Sequence, residues 1–227
     1  MEFPGGLYLI PTPIGNLEDL SPRSVSWMNG VDILLAEDTR TSGFLLAHAG
    51  IKRSLSAFHM HNEHKQLNRY LNELKSGKSV GLMSDAGTPG ISDPGYLLVR
   101  ESVSESIPVY CLPGPTALIP ALVVSGFPTD RFAFEGFLPP KKGRQKRWEA
   151  LKNETRTMVF YESPHRIEKF LNEVSEYFGS DFPIVVCREI SKKFEETLRG
   201  TANELLQKIS ERPLKGELVI VLPAPAR

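Results

Sequence analysis

The sequence predicts an α/β chain with a mainly parallel sheet in its first half and a mixed α+β sheet in its second. Three observations predict this. Short β-rich apolar runs alternate with helix-length segments as far as Pro113. A Pro- and Gly-rich stretch, "LPGPTALIPALVVSGFPTD", then breaks the alternation. Beyond it the apolar runs "RFAFEGF", "TMVFYES", "PIVVCREI" and "GELVIVLP" lie closer together and in part as hairpins. With 227 residues, 41% of them apolar, the chain is long enough for two small cores, so two domains are expected, 1–116 and 117–227.

Taken in order, "LYLIPT" is a strand and "PTPIGNLEDL" its exit. "SPRSVSWMNG" is a helix with Ser21 as N-cap and Pro22 at the first position, closing at Asn29-Gly30. "VDILLAED" is the next strand, left through "AEDTRTSG". "NEHKQLNRYLNELKSG" spaces Leu67, Tyr70, Leu71 and Leu74 three and four residues apart and stops at Gly77, an amphipathic helix. "SVGLMSD" follows as a strand with the exit "SDAGTPGISDPG", and "IPVYCLPG" as a strand with the exit "LPGPTAL". All four exits are Gly/Pro-rich or densely polar. In an open α/β sheet ligands bind beyond the carboxyl ends of the strands, so four such exits together point to a pocket.

Composition narrows the class. Cys111 and Cys187 sit in strand-like runs and read as small buried hydrophobes. The N-terminus lacks a basic leader and no run reaches the ~20 apolar residues of a membrane span, so a soluble cytoplasmic chain without a membrane partner is expected. The final "APAR" is expected to fray. Net charge is zero, which argues against nucleic-acid binding through overall charge. The halves differ, however. Residues 1–113 hold nine Lys/Arg against twelve Asp/Glu, and residues 114–227 hold eighteen against fifteen. Much of the excess is "KKGRQKR", Lys141 to Arg147, which reads either as a solvated face or as a phosphate-contacting patch.

The defining residues of several common sites are missing. There is no G-x-G-x-x-G after the first strand, no G-x-x-x-x-G-K-[ST] and no G-x-S-x-G. "HMHNEH" brings His59, His61 and His64 within six residues, but a strand-end pair followed by a helical His does not converge readily on one ion, so no metal is expected.

The ordered series "LYLIPTPIGNLEDL", "AEDTRTSG", "HMHNE", "SDAGTPGISDPG", "LPGPTA", "DRFAFEGFLP", "FYESPHRI", "CREISKKFEET" and "KGELVIV" resembles the tetrapyrrole methylase superfamily, and within it the cytidine 2′-O-ribose methyltransferases of small-subunit ribosomal RNA. The likeness runs from Leu7 to about Leu222. It implies the tetrapyrrole methylase fold of two α/β domains, S-adenosyl-L-methionine as methyl donor in a cleft between them, a homodimer, and small-subunit (16S) rRNA or the 30S subunit as partner. Many members carry a further helical C-terminal domain, which is expected to be absent here. Carried over by motif, the donor contacts are Pro13, Gly15, Asp85, Ala86, Gly87, Ile91, Thr116, Ala117, Phe160, Tyr161, Gly216 and Glu217.

A ribose hydroxyl must share or lose its proton as it attacks, so a positioned group is required. Asp38 and Asp85 are the candidate bases; Glu37, Arg40 and His61 are candidates for positioning ribose or phosphate. "EDTR" reads equally well as a helix cap with a local ion pair. Lys141, Lys142, Arg144, Lys146, Arg147 and Arg166 are the expected RNA phosphate contacts, and Phe58, Phe134 and Phe137 are candidates for stacking a base, each also readable as core. The rival readings are a C-methyltransferase of precorrin or uroporphyrinogen and a non-catalytic, cofactor-binding ribosome assembly factor.

Overall fold

The computed structural model describes residues 3–225, and the chain divides into two compact units, Met1–Thr116 and Ala117–Arg227. Of the closing "APAR", the last two residues lie outside the described range.

The first unit is a five-stranded, wholly parallel sheet: β1 (Gly6–Ile10), β2 (Ile33–Ala36), β3 (Ser56–Ala57), β4 (Ser79–Met83) and β5 (Val109–Cys111), in the order β3-β2-β4-β1-β5. Between them run α1 (Pro22–Gly30), α2 (Thr39–His48), α3 (Glu63–Lys75) and α4 (Tyr96–Ser104). The chain moves one way across the sheet from β1 through β2 to β3, then the other way through β4 to β5. Right-handed crossovers therefore place α1 and α2 on one face and α3 and α4 on the other. The period-2 alternation of the strands serves both faces. Tyr8, Ile10, Leu34, Ala36 and Met83 pack with Trp27, Met28 and Leu46, whereas Leu7, Leu9, Leu35, Val80 and Leu82 pack with Tyr70, Leu71, Leu74 and Leu98.

Local chemistry sets the helix ends. The Ser21 hydroxyl accepts from the Ser24 N–H, with Pro22 in the first turn of α1. In α3 the buried Tyr70, Leu71 and Leu74 form the predicted stripe, and Gly77 follows with φ +89°, a left-handed conformation that glycine adopts without penalty. Cys111 departs from expectation: it is exposed, because β5 is a three-residue edge strand with one flank unpaired. Cys187 is buried.

The second unit is a mixed sheet of β6 (Phe132–Phe137), β7 (Thr157–Glu162), β8 (Pro183–Arg188), β9 (Glu196–Thr201) and β10 (Leu218–Leu222), ordered β6-β7-β10-β8-β9. Only the β6–β7 pair is parallel, joined across α6 (Arg144–Leu151). One face is covered by α6, α7 (Ile167–Phe178) and α8 (Ala202–Glu211), with Trp148, Phe170 and Leu205 packing on Met158, Phe160, Val186 and Ile220. The opposite face, Val159, Val185, Cys187, Val219 and Val221, is covered by α5 (Leu118–Ser125) through Leu118, Ala121 and Leu122. No helix among the described residues is long and apolar enough to cross a membrane.

Candidate active site at the strand exits of the first unit

The exit of β4 leads to a helix on one face of the sheet, while the exits of its two neighbours, β1 and β2, lead to helices on the other. Diverging connections open a crevice at the end of β4, the usual ligand position in a doubly wound sheet.

Backbone and hydroxyl groups stitch the crevice walls together. Thr12 and Gly87 exchange two backbone hydrogen bonds, of 2.9 and 3.0 Å. The Thr12 hydroxyl donates to the Ser84 carbonyl at 3.1 Å, and the Ser84 hydroxyl to the Gly87 carbonyl at 3.0 Å. The Thr88 hydroxyl donates to the Pro115 carbonyl at 3.0 Å, tying the β4 exit to the β5 exit. Gly114 permits the β5 exit to close on the β1 exit, since a Cβ there would lie 2.3 Å from the Pro11 Cβ. "SDAGTPG" is thus a braced loop. Its outer edge is open: Asp85 and Ala86 are exposed, and the Ala86 N–H donates to no described residue.

Four carboxyl groups meet at this edge. Asp38, the N-cap of α2, accepts the Arg40 N–H at 2.8 Å and is gripped by the Arg40 guanidinium at 3.1 and 2.6 Å. That side-chain pairing, with the backbone bond, holds its carboxyl down at about 2. The helix-cap reading of "EDTR" is the observed one, with the carboxylate of Asp38, a candidate base in the sequence, engaged by Arg40. Arg40 has its guanidinium on Asp38, although its side chain is 86% exposed. The Asp38 N–H in turn donates to the Asp85 carboxylate at 3.0 Å.

Glu37 is half-buried, and burial raises its carboxyl while a long contact from the Asp85 N–H opposes this. Asp93, further along the β4 exit, is pushed up to about 7, first by burial and then by the charges of Glu37 and Asp85. Asp93 lies in the same Gly-rich exit as Asp85 and is not marked by the sequence as a candidate. Nothing local distinguishes it from Asp85, because its half-burial comes from the folded loop. His59 lies in the same neighbourhood, where its charge lowers the Glu37 carboxyl, and its ring is 6.0 Å from that of His61. Among the described residues no group of three or more His, Cys, Asp or Glu side chains is arranged to hold a metal ion.

Pro13 and Gly15 line the β1 exit, Ile91 is exposed on the β4 exit, and Thr116 closes the first unit. Ala117 immediately precedes α5. In the second unit Gly216, with φ +88°, turns the chain into β10, and the Glu217 N–H donates to Glu189 at 3.0 Å while its carboxylate receives Lys192 at 3.0 Å. The Phe160 ring is fully buried against Trp148 and Phe170 and underpins the sheet, so any donor contact at this position would be through the main chain. Tyr161, one residue on, faces the opposite side beside Phe134 and Phe137, at ring separations of 5.0 and 5.7 Å. Phe58 is also fully buried, edge-on to Tyr70, and is core.

The basic run splits. Arg144 is 3% exposed, donates to Glu173 at 2.6–2.9 Å and lies 3.6 Å from Glu162, so it is a structural cation and not a phosphate contact. Its place at the first turn of α6 points it inward, whereas its neighbours in the run point out. Arg166 pairs with Glu162 at 2.8 Å, and Arg147 pairs with Glu135 while staying half-exposed. Lys141, Lys142 and Lys146 are exposed and make no ion pair among the described residues.

The family model for tetrapyrrole (corrin/porphyrin) methylases matches residues 6–206. A Xylella fastidiosa protein named ribosomal RNA small subunit methyltransferase I is 49% identical over all of this chain and 84% of its own length. An Escherichia coli O157:H7 protein of the same name is 45% identical over 96% of this chain and 77% of its own. Among solved structures, a diphthine synthase aligns with a TM-score of 0.72 over 96% of this chain and 89% of its own, at 13% identity, a likeness of fold alone.

Proposed function

Because the chain belongs to the tetrapyrrole (corrin/porphyrin) methylase family, together with the ribosomal RNA small subunit methyltransferase I proteins, we propose that it methylates the ribose 2′-hydroxyl of a decoding-site cytidine in small-subunit rRNA, using S-adenosyl-L-methionine. The single observation that carries the chemistry is one crevice edge that combines a braced loop, Asp85 to Gly87, exposed at Asp85 and Ala86, with a half-buried carboxyl poised near neutrality, Asp93.

The crevice suits such a donor. The Ala86 N–H is available to an anionic group, and the glycine-rich wall admits close backbone approach. Pro13, Gly15, Asp85, Ala86, Gly87 and Ile91 would hold the donor in the first unit, with Thr116; Ala117, Tyr161, Gly216 and Glu217 are the proposed contacts of the second. When bound, S-adenosylmethionine supplies an electrophilic methyl on a sulfonium. The protein's share is orientation and proton acceptance. Braced loops fix the approach, which in well-aligned systems supplies up to ~7–11 kcal/mol of a barrier. Asp93 accepts the hydroxyl proton, Asp38 and Asp85 hold the β2 and β4 exits in register, and Arg40 faces the RNA. Lys141, Lys142, Lys146, Arg147 and Arg166 contact phosphates. The protein acts in the cytoplasm as a homodimer, a reading supported by the exposed Ile119, Val123 and Val124 on α5.

The test is to incubate small ribosomal subunits from cells lacking this gene with protein and methyl-labelled S-adenosylmethionine. Label in one 2′-O-methylcytidine is expected, and label on carbon or none at all overturns the reading.

A further inference from the structure

The first unit contains a concavity that shares Pro13, Gly15 and Asp85 with the proposed donor contacts and runs on from them to the side chains of α2. A cavity of about 260 Å³ opens between the β1 exit and the first turns of α2. Leu17 and Phe44 form its lip, and Thr41, Ser42, Ser84 and Asp85 lie among its walls. Three features are unusual together. Ser42 is 2% exposed, yet its hydroxyl has no hydrogen-bond partner among the described residues, a costly state for a buried polar group that no ligand satisfies. Phe44 is 80% exposed at the lip, and Leu17 is 46% exposed beside it. Asp85 sets a carboxylate in the wall at the crevice edge where methyl transfer is placed.

The size selects the ligand class. Sites that enclose drug-sized molecules occupy roughly 300–1,000 Å³, so this cavity is too small for a whole nucleoside-amino-acid donor and suits one flat ring. The chemistry agrees, with an aromatic and aliphatic lip for the ring faces and a hydroxyl and a carboxylate for a polar edge. We propose that the cavity receives the extruded pyrimidine base of the acceptor nucleotide, stacked on Phe44, with its exocyclic amine toward the Asp85 carboxylate and a further edge atom on the Ser42 hydroxyl. A carboxylate accepts from an amine and repels a keto oxygen, so the site prefers cytosine to uracil. Extrusion into a pocket of this kind is how enzymes reach a nucleotide held in a stack. This inference rests on the rRNA ribose methylation proposed above.

Phe44→Ala, Phe44→Trp and Ser42→Ala proteins test it, assayed on small ribosomal subunits for kcat and KM, by equilibrium dialysis for S-adenosylmethionine affinity, and by light scattering for subunit association. Phe44→Ala should lower kcat/KM for the RNA by about 5- to 150-fold, the range for losing one base–aromatic stack. Donor affinity and association should stay at the wild-type level, and Phe44→Trp should recover activity. Ser42→Ala should raise KM for the RNA more than it lowers kcat. Unchanged kcat/KM in Phe44→Ala overturns the proposal. Donor affinity falling in step with activity assigns the cavity to the donor, and altered association assigns Phe44 to a subunit contact; either also overturns it. A wild-type protein that methylates no rRNA sinks the parent reading, whereas an active wild type with an indifferent Phe44→Ala sinks the cavity alone.

Discussion

The backbone N–H of Asp38 donates to the Asp85 carboxylate at 3.0 Å, joining the exits of two adjacent parallel strands, β2 and β4, through residues 47 positions apart. Asp38 is spent on this join and on Arg40; Asp85 braces the crevice and keeps an exposed edge. The proposed proton acceptor is instead the half-buried Asp93 behind them.

Asp38→Asn should leave methyl transfer close to the wild-type rate. Asparagine caps helices about as well as aspartate, so α2 keeps its start while the ion pair with Arg40 is lost. Single-turnover rates at saturating donor check this, and a collapse would return Asp38 to the chemistry.

Asp93→Asn should slow the chemical step by roughly 10²- to 10⁴-fold, the usual contribution of a positioned base. The wild-type rate should climb through about pH 7, where Asp93 loses its proton, and the variant's residual rate should lack that step. A pH series of single-turnover rates for both proteins decides it.

Asp93 also marks a stability cost with a definite sign. Its folded-state pKa lies above the unfolded value, so between pH ~4 and about 7 the native state binds more protons and stability falls as pH rises. Three units correspond to at most ~4 kcal/mol, which partial exposure reduces to ~1–2. Asp93→Asn should be more stable than wild type at pH 8 by that amount and equal to it below pH 4, as read from denaturant unfolding.

Arg144→Ala should destabilise the protein by up to about 3–5 kcal/mol, because Glu173 would lose its close buried partner, with only Lys169 left at 3.9 Å, and Glu162 would keep Arg166 alone. Replacing Lys141, Lys142 and Lys146 with Ala should leave stability within ~0.5 kcal/mol of wild type. On single-stranded rRNA fragments the triple variant should bind with a salt slope shallower by up to ~0.7 per lost phosphate contact. Unfolding curves and a salt series separate the two roles.

Periodicity carried the fold a long way. The stripe of Leu67, Tyr70, Leu71 and Leu74, the cap at Ser21 and eight of the strands are legible, because each is a local pattern with one solution. The two-residue β3 and the charged edge strand β9, "ETLRGT", carry no apolar alternation to read. At the site, the glycine-rich exits announce a crevice, but the partners of each side chain are long-range. Whether Phe160 or Tyr161 faces outward depends on which face of the sheet α7 covers. Whether Arg144 serves RNA or the core depends on Glu173, 29 residues away. Asp93 and Ser42 acquire their character from burial, which no short motif encodes.

The most direct measurement is nucleoside mass spectrometry of 16S rRNA after reaction of unmethylated small subunits with isotope-labelled S-adenosylmethionine and wild-type or Asp93→Asn protein. The proposed function predicts label in a single 2′-O-methylcytidine with wild type and a rate lower by at least ~10² with the variant. Label on a base carbon, no label, or equal rates from the two proteins would contradict it.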